Sequence, residues 1–207
     1  MPSDTFFKLP QEKQNSLIES AILEFSENTF NEASINKIIN RIKIPRGSFY
    51  MYFSDKLDLY KYIIKSYINK FNEITIKLLK KNNGDFIQMN KELYDKIIIF
   101  IQKDKNKKLL HNLFSEIRFS NEKFIFKPTE EEFETRKQLI INLINKDLYD
   151  FKNIEQLFDA YMFSLTTTIS AITHYFIEPN HKYEKEIYLN RLHIIKYGIK
   201  KEGKEWN

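Results

Sequence analysis

The chain has 207 residues, is 42% hydrophobic and 29% charged, and carries a formal net charge of +5. With 4 Gly and 5 Pro it has few positions for tight turns, so long helices around an ample core are favoured over a sandwich or barrel. The lack of cysteine excludes disulfides, thiolate metal sites and a cysteine nucleophile, and with no leader-like N-terminus or membrane-length apolar run the expectation is a cytoplasmic protein without a membrane partner.

Leu17, Ile18, Ala21, Ile22 and Phe25 recur at helical spacing and predict a first amphipathic helix starting near Pro10. Asn28–Ala33 reads as a turn. Ser34 follows as an N-cap whose hydroxyl would meet the free amides of a short second helix, buried through Ile35, Ile38, Ile39 and Ile42. A third helix restarts at Ile44–Pro45, with Phe49 and Phe53 four apart and facing inward. A fourth begins at the capping residue Ser54, with Asp55 near its positive end, and continues from Leu57 to Leu79, stopping at Gly84. Further helices are expected at about 85–103, 106–120, 130–147, 153–177 and 184–201, with boundaries uncertain by a few residues. No stretch has strand periodicity, and no internal repeat or low-complexity linker divides the chain.

The second and third helices read as a helix-turn-helix. Residues near the start of the third would lie closest to base edges: Pro45, Arg46, Gly47 and Ser48. Arg46 could donate to a guanine edge or a phosphate, Gly47 permits close approach of the backbone, and Ser48 can bond a base or a phosphate. Tyr50 and Tyr52 would offer hydroxyls to phosphates, Met51 could touch a thymine methyl, and Asn36 is either a phosphate contact or solvated surface. Lys56 opposes the helix dipole in the first turn of helix four, a cost that a phosphate would offset. The charge pattern agrees: residues 1–32 carry two lysines against six acids, whereas residues 33–65 carry seven Lys or Arg against two aspartates.

Residues 13–64 resemble the DNA-binding domain of TetR-family transcriptional regulators, on Ala21, Phe25, Ser34, Gly47, Ser48, Phe49, Tyr50, Tyr52, Phe53 and Lys56. The resemblance implies a homodimer that binds a palindromic operator in double-stranded DNA, usually represses, and releases DNA when a small molecule enters the C-terminal bundle. It also implies that Ser34, Tyr50 and Lys56 hold phosphates while Arg46 and Ser48 face bases. Three positions depart from the pattern. Thr29 replaces a glycine after helix one, and Pro45 replaces the usual capping Ser or Thr. Lys43 replaces a turn glycine where a left-handed backbone costs a side-chain-bearing residue on the order of 1 kcal/mol.

The expected architecture is therefore all-α: an N-terminal three-helix helix-turn-helix DNA-binding domain over 1–55, and a helical bundle for ligand binding and dimerisation over 56–207. An aromatic middle segment points to a ligand pocket from Phe100, His111, Phe114, Arg118, Tyr161 and Thr168, with the ligand unnamed. Near the C-terminus, Met162, Leu165, Ile169, Ile172 and Phe176 form one stripe, and Tyr188, Leu192, Ile195 and Ile199 another; both are candidates for a dimer interface, with internal core as the alternative. The histidines 111, 174, 181 and 193 form no HExxH or ExxH pair, so no metal, no cofactor and no enzymatic activity are expected. The competing reading is a helical-bundle enzyme or interaction protein without DNA-binding activity.

Overall fold

The computed structural model describes residues 1–102, 108, 128–177 and 181–198. Every regular element among them is a helix, in the order α1 (Asp4–Phe7), α2 (Gln11–Glu27), α3 (Ile35–Arg41), α4 (Arg46–Tyr52), α5 (Lys56–Lys81), α6 (Phe86–Ile101), α7 (Glu130–Leu143), α8 (Ile154–Ile177) and α9 (His181–Tyr197), with a 3-10 turn at Lys146–Leu148. The all-α expectation holds. The helix expected over 106–120 lies outside the described residues. The one expected over 130–147 ends at Leu143, and α1 has no counterpart in the periodicity because four residues are too few to show one.

Helix ends correct the sequence reading in two places and agree with it at Gly84. Ser34 occupies the N-cap position of α3 in extended backbone, but its side chain caps nothing. Asp55, not Ser54, caps α5: its carboxylate accepts the Asp58 amide at 2.7 Å and its carbonyl accepts the Leu59 amide at 3.4 Å. At the other end of α5, Asn83 (φ 51°) turns left-handed before Gly84 (φ 81°), and the Gly84 amide reaches back to the Leu79 carbonyl at 2.9 Å. Gly84 is required twice over. A Cβ there would sit 2.2 Å from the Asn145 amide nitrogen and 2.6 Å from the Leu143 carbonyl oxygen.

The chain divides into two compact units, residues 1–72 with 100–127 and residues 73–99 with 128–207. The first is built on Phe6, Leu17, Ala21, Phe25, Ile38, Phe49, Phe53, Leu59 and Ile63, all at most 1% exposed. Phe25 and Tyr60 meet edge to face at 4.9 Å, and Phe6 and Phe53 lie 5.0 Å apart.

In the second unit α8 and α9 pack together, and Leu157, Tyr161, Leu165, Ile172, Tyr188 and Leu192 of these helices are buried. A fully buried polar network threads this core. Asn90 of α6 donates to the Ser164 hydroxyl at 2.8 Å and accepts from Thr168 at 2.8 Å. Tyr188 of α9 donates to the Asn90 carbonyl at 2.8 Å and lies 3.0 Å from the Thr168 hydroxyl. Burial raises the Tyr188 phenol far above its ordinary pKa, so it stays a neutral donor.

This network and its apolar surround change the interface candidates. Leu165, Ile172, Tyr188 and Leu192 are at most 5% exposed and belong to their own chain's core. Helical spacing marks apolar stripes without saying which one the neighbouring helix covers. The apolar surface of α8 left open keeps only part of the expected stripe, with Ile169 38% exposed and Met162 half-buried, and adds Phe163, which is 63% exposed. On α9, Ile194 is exposed and Ile195 half-buried. The Phe176 side chain and Ile199 lie outside the described residues. No helix among the described residues is long and apolar enough to cross a membrane.

Candidate nucleic-acid interface

The helix-turn-helix is held by its turns. After Arg41 the chain passes through Ile42 to Lys43, which adopts φ 55° in the left-handed region. The Ile44 amide reaches back to Ile39 at 3.2 Å and the Lys43 amide to Asn40 at 3.3 Å, which ends α3 and redirects the chain into α4. The strained lysine is thus where the sequence placed it. It persists because the carbonyls of α3 need those two donors.

The α2–α3 turn is organised by a carboxylate that the helical spacing did not single out. Glu24 is fully buried. One oxygen accepts the Ser34 amide at 3.1 Å and the Asn28 side chain at 3.2 Å; the other meets Arg41 at 2.8 Å. Ser20 adds a buried bond from its hydroxyl to the Ile38 carbonyl at 2.9 Å. A buried charge is costly unless paired and hydrogen-bonded, and Glu24 is both. The signal was present in the sequence only as a glutamate one residue from the core position Phe25.

Lys56 departs from its expected role. Its ammonium donates to the Asn31 carbonyl at 3.1 Å and the Ala33 carbonyl at 2.8 Å, and lies 4.8 Å from the centre of the Phe30 ring. Burial pushes its pKa below the ordinary 10.5, with the Glu24 charge opposing the shift. Two of its three hydrogens are engaged by the chain itself, closing the α2–α3 turn from the far side. Sequence spacing carries no trace of this, since the partners are backbone carbonyls 23 and 25 residues away.

Six of the expected contact residues are exposed, and three of them touch. Arg46 donates to the Asn36 side-chain oxygen Oδ1 at 3.2 Å and to the Tyr50 hydroxyl at 3.4 Å, with its guanidinium 5.8 Å from the Tyr50 ring centre. Met51 is 59% exposed beside them. Gly47 is exposed, and a Cβ added to it would meet nothing within 4 Å, so internal packing does not demand the glycine. Pro45 is exposed at the α4 N-cap position, and Ser48 is half-buried one turn on. Ser34 is half-buried. Tyr52 is drawn inward, half-buried with its ring 6.4 Å from Phe6, because α1 packs where open surface was expected. Phe49 and Phe53 are buried as predicted.

Comparison with known proteins decides the family. The model described as bacterial regulatory proteins, tetR family, matches residues 17–63, and that of the tetracyclin repressor-like C-terminal domain matches residues 85–199, more than half of the chain. The chain belongs to the TetR family. Two Bacillus subtilis (strain 168) relatives are similar to it, both described as uncharacterized HTH-type transcriptional regulators. YdgC is 24% identical over 98 residues, covering 46% of this chain and 50% of the relative. YuxN is 33% identical over 75 residues, covering 36% of this chain and 25% of the relative. The chain thus spans half the length, or less, of these curated relatives. The TetR-type fold also agrees with the crystal structure of reduced E. coli NemR, which superposes with a TM-score of 0.61 at 14% identity over 88% of this chain and 95% of that one.

The residues expected to form a ligand pocket are less gathered. His111, Phe114 and Arg118 lie outside the described residues. Phe100 is 38% exposed near the end of α6. Thr168 is bound up in the Asn90 network. Tyr161 is 1% exposed, and its hydroxyl finds no partner among the described residues. Burial pushes its phenol up to about 12, a shift the Arg136 charge opposes.

Proposed function

We propose that this TetR-family chain is a DNA-binding transcriptional regulator that reads a palindromic operator as a homodimer and acts as a ligand-responsive repressor. The observation that carries the reading is the Asn36–Arg46–Tyr50 cluster on the open face of α4. A planar guanidinium held at two points by neighbouring side chains is preorganised to donate to the major-groove edge of a guanine. Gly47 leaves room for the backbone to approach and Met51 offers an apolar tip; Tyr50 and the exposed Pro45, with the half-buried Ser34 and Ser48, would supply the remaining contacts.

Phosphate contact by Lys56 would use only the hydrogen not already given to the turn. Lys37 and Lys43, both exposed, supply further positive charge to the face.

Dimerisation is supported by the apolar surface on α8 and α9, where Phe163, Thr166 and Ser170 face Arg191, Ile194 and Ile195 across a shallow depression. One helix-turn-helix reads a half-site, and a twofold dimer would span two half-sites separated by about 34–36 Å or a multiple of that. The effector would be admitted by the C-terminal unit, where the buried Tyr161 hydroxyl, without a partner among the described residues, could meet it.

The test is binding-site selection from fragmented genomic DNA with the purified protein, beside an Arg46→Ala variant. Recovery of a palindromic site by the native chain and its loss in the variant are the expected results. Absence of any enriched site at moderate salt would overturn the reading.

A further inference from the structure

Ser3 and α1 are seated on the last turn of α4. The Ser3 amide donates to the Tyr52 carbonyl at 2.9 Å, and the Ser3 hydroxyl donates to the Met51 carbonyl at 2.5 Å. Both acceptors belong to the last turn of α4, whose carbonyls have no partner within the helix. A helix of seven residues is marginal without outside support. Phe6, 0% exposed, lies 5.0 Å from Phe53 and 5.6 Å from Tyr62. The far end of the segment is tied to α2 by Gln14, whose side chain donates to the Leu9 carbonyl at 2.8 Å. Ser3 therefore starts α1, where its side chain accepts the Phe6 amide, and also finishes α4.

We propose that Ser3 and Phe6 are positioning residues for α4, fixing its C-terminal turn so that Arg46, Tyr50 and Met51 are presented in one orientation. The proposal rests on the DNA-binding reading for its function, although the support of α4 can be measured without DNA. Without the Ser3 hydroxyl the Met51 carbonyl would turn to water, leaving the Ser3 amide on Tyr52 as the remaining tie, and the last turn of α4 would fray.

The experiment uses the full chain with Ser3→Ala, Ser3→Thr and Phe6→Ala. Backbone amide exchange is measured at Phe49–Phe53 and at Ile35–Arg41, together with the ratio of operator to non-specific duplex affinity at one salt concentration. Ser3→Ala is expected to speed exchange in the last turn of α4 by about tenfold while residues 35–41 keep their protection. The affinity ratio is expected to fall by about tenfold, and Ser3→Thr to restore both readouts. Unchanged exchange in α4, or a rise spread evenly over α3 and α4, would overturn the proposal and leave Phe6 as ordinary core. If Phe6→Ala does not fold, the two Ser3 variants decide. If the native chain prefers no site, the DNA-binding reading fails and the exchange data still decide whether Ser3 supports α4.

Discussion

The two units bury polar groups in opposite ways. The N-terminal unit buries a charge, Glu24, and uses it at a turn, where it collects the Ser34 amide, the Asn28 side chain and Arg41. The C-terminal unit buries a neutral amide, Asn90, and uses it between helices, where it joins Ser164, Thr168 and Tyr188. A carboxylate accepts from several directions, so it can gather the divergent donors of a loop; an amide both donates and accepts, so it suits two hydroxyls one turn apart on a neighbouring helix, one as acceptor and one as donor. Buried polar groups thus fix a turn in one unit and the alignment of α6, α8 and α9 in the other.

The sharpest way to break this comparison is Glu24→Ala. It leaves the Ser34 amide and the Asn28 side chain without their acceptor, while Arg41 keeps Glu27 and the Ser20 carbonyl, and a loss of about 3 kcal/mol is expected in urea unfolding. A loss below about 1 kcal/mol would mean that water replaces the carboxylate and that the turn holds itself. In the other unit, Asn90→Ala leaves the Thr168 and Ser164 hydroxyls short of a partner, and about 2–3 kcal/mol is expected. Asn90→Asp should behave no better at neutral pH, since it places a charge where the network offers no cation.

Arg46→Ala separates surface chemistry from both buried hubs. Stability should change by less than about 0.5 kcal/mol, while operator affinity should drop by about 1–3 kcal/mol in a binding titration. A matching loss of stability would show that the Arg46 bonds to Asn36 and Tyr50 serve the fold instead of a partner.

The smallest expected effect concerns acid. Burial raises the Asp58 carboxyl, but the Met1 ammonium and the Ser54 amide and hydroxyl outweigh it and hold the group below its ordinary 3.8. Its contribution is therefore complete above that pH and is lost as pH falls through the depressed folded value. Asp58→Asn should flatten the acid limb of the stability profile; an unaltered limb would assign acid sensitivity to other carboxylates. Asn90 cannot titrate, so the network it centres should contribute nothing to that limb.

Much of the recognition unit was legible in the chain. The apolar spacing of Leu17–Phe25, Ile35–Ile39 and Phe49–Phe53 placed α2, α3 and α4, and Lys43 marked the left-handed turn. The exposure of Arg46, Tyr50 and Met51 followed from the inward placing of Phe49 and Phe53. Tyr52 and Lys56 were read outward because their partners, the α1 residue Phe6 and the carbonyls of Asn31 and Ala33, are invisible to helical periodicity. In the bundle the stripes of α8 and α9 were correctly apolar, but spacing alone does not say which stripe faces a neighbour.

The sequence by itself determined what is local: the all-α class, the helix-turn-helix, the inward aromatics and the basic face. These follow from periodicity, capping chemistry and charge within a few residues of one another. Only the tertiary structure decided which polar groups are spent inside and which remain for a partner. Glu24, Asn90 and Lys56 are engaged within the fold while Arg46 stays on its surface, because a buried polar atom takes its partners from wherever the chain brings them.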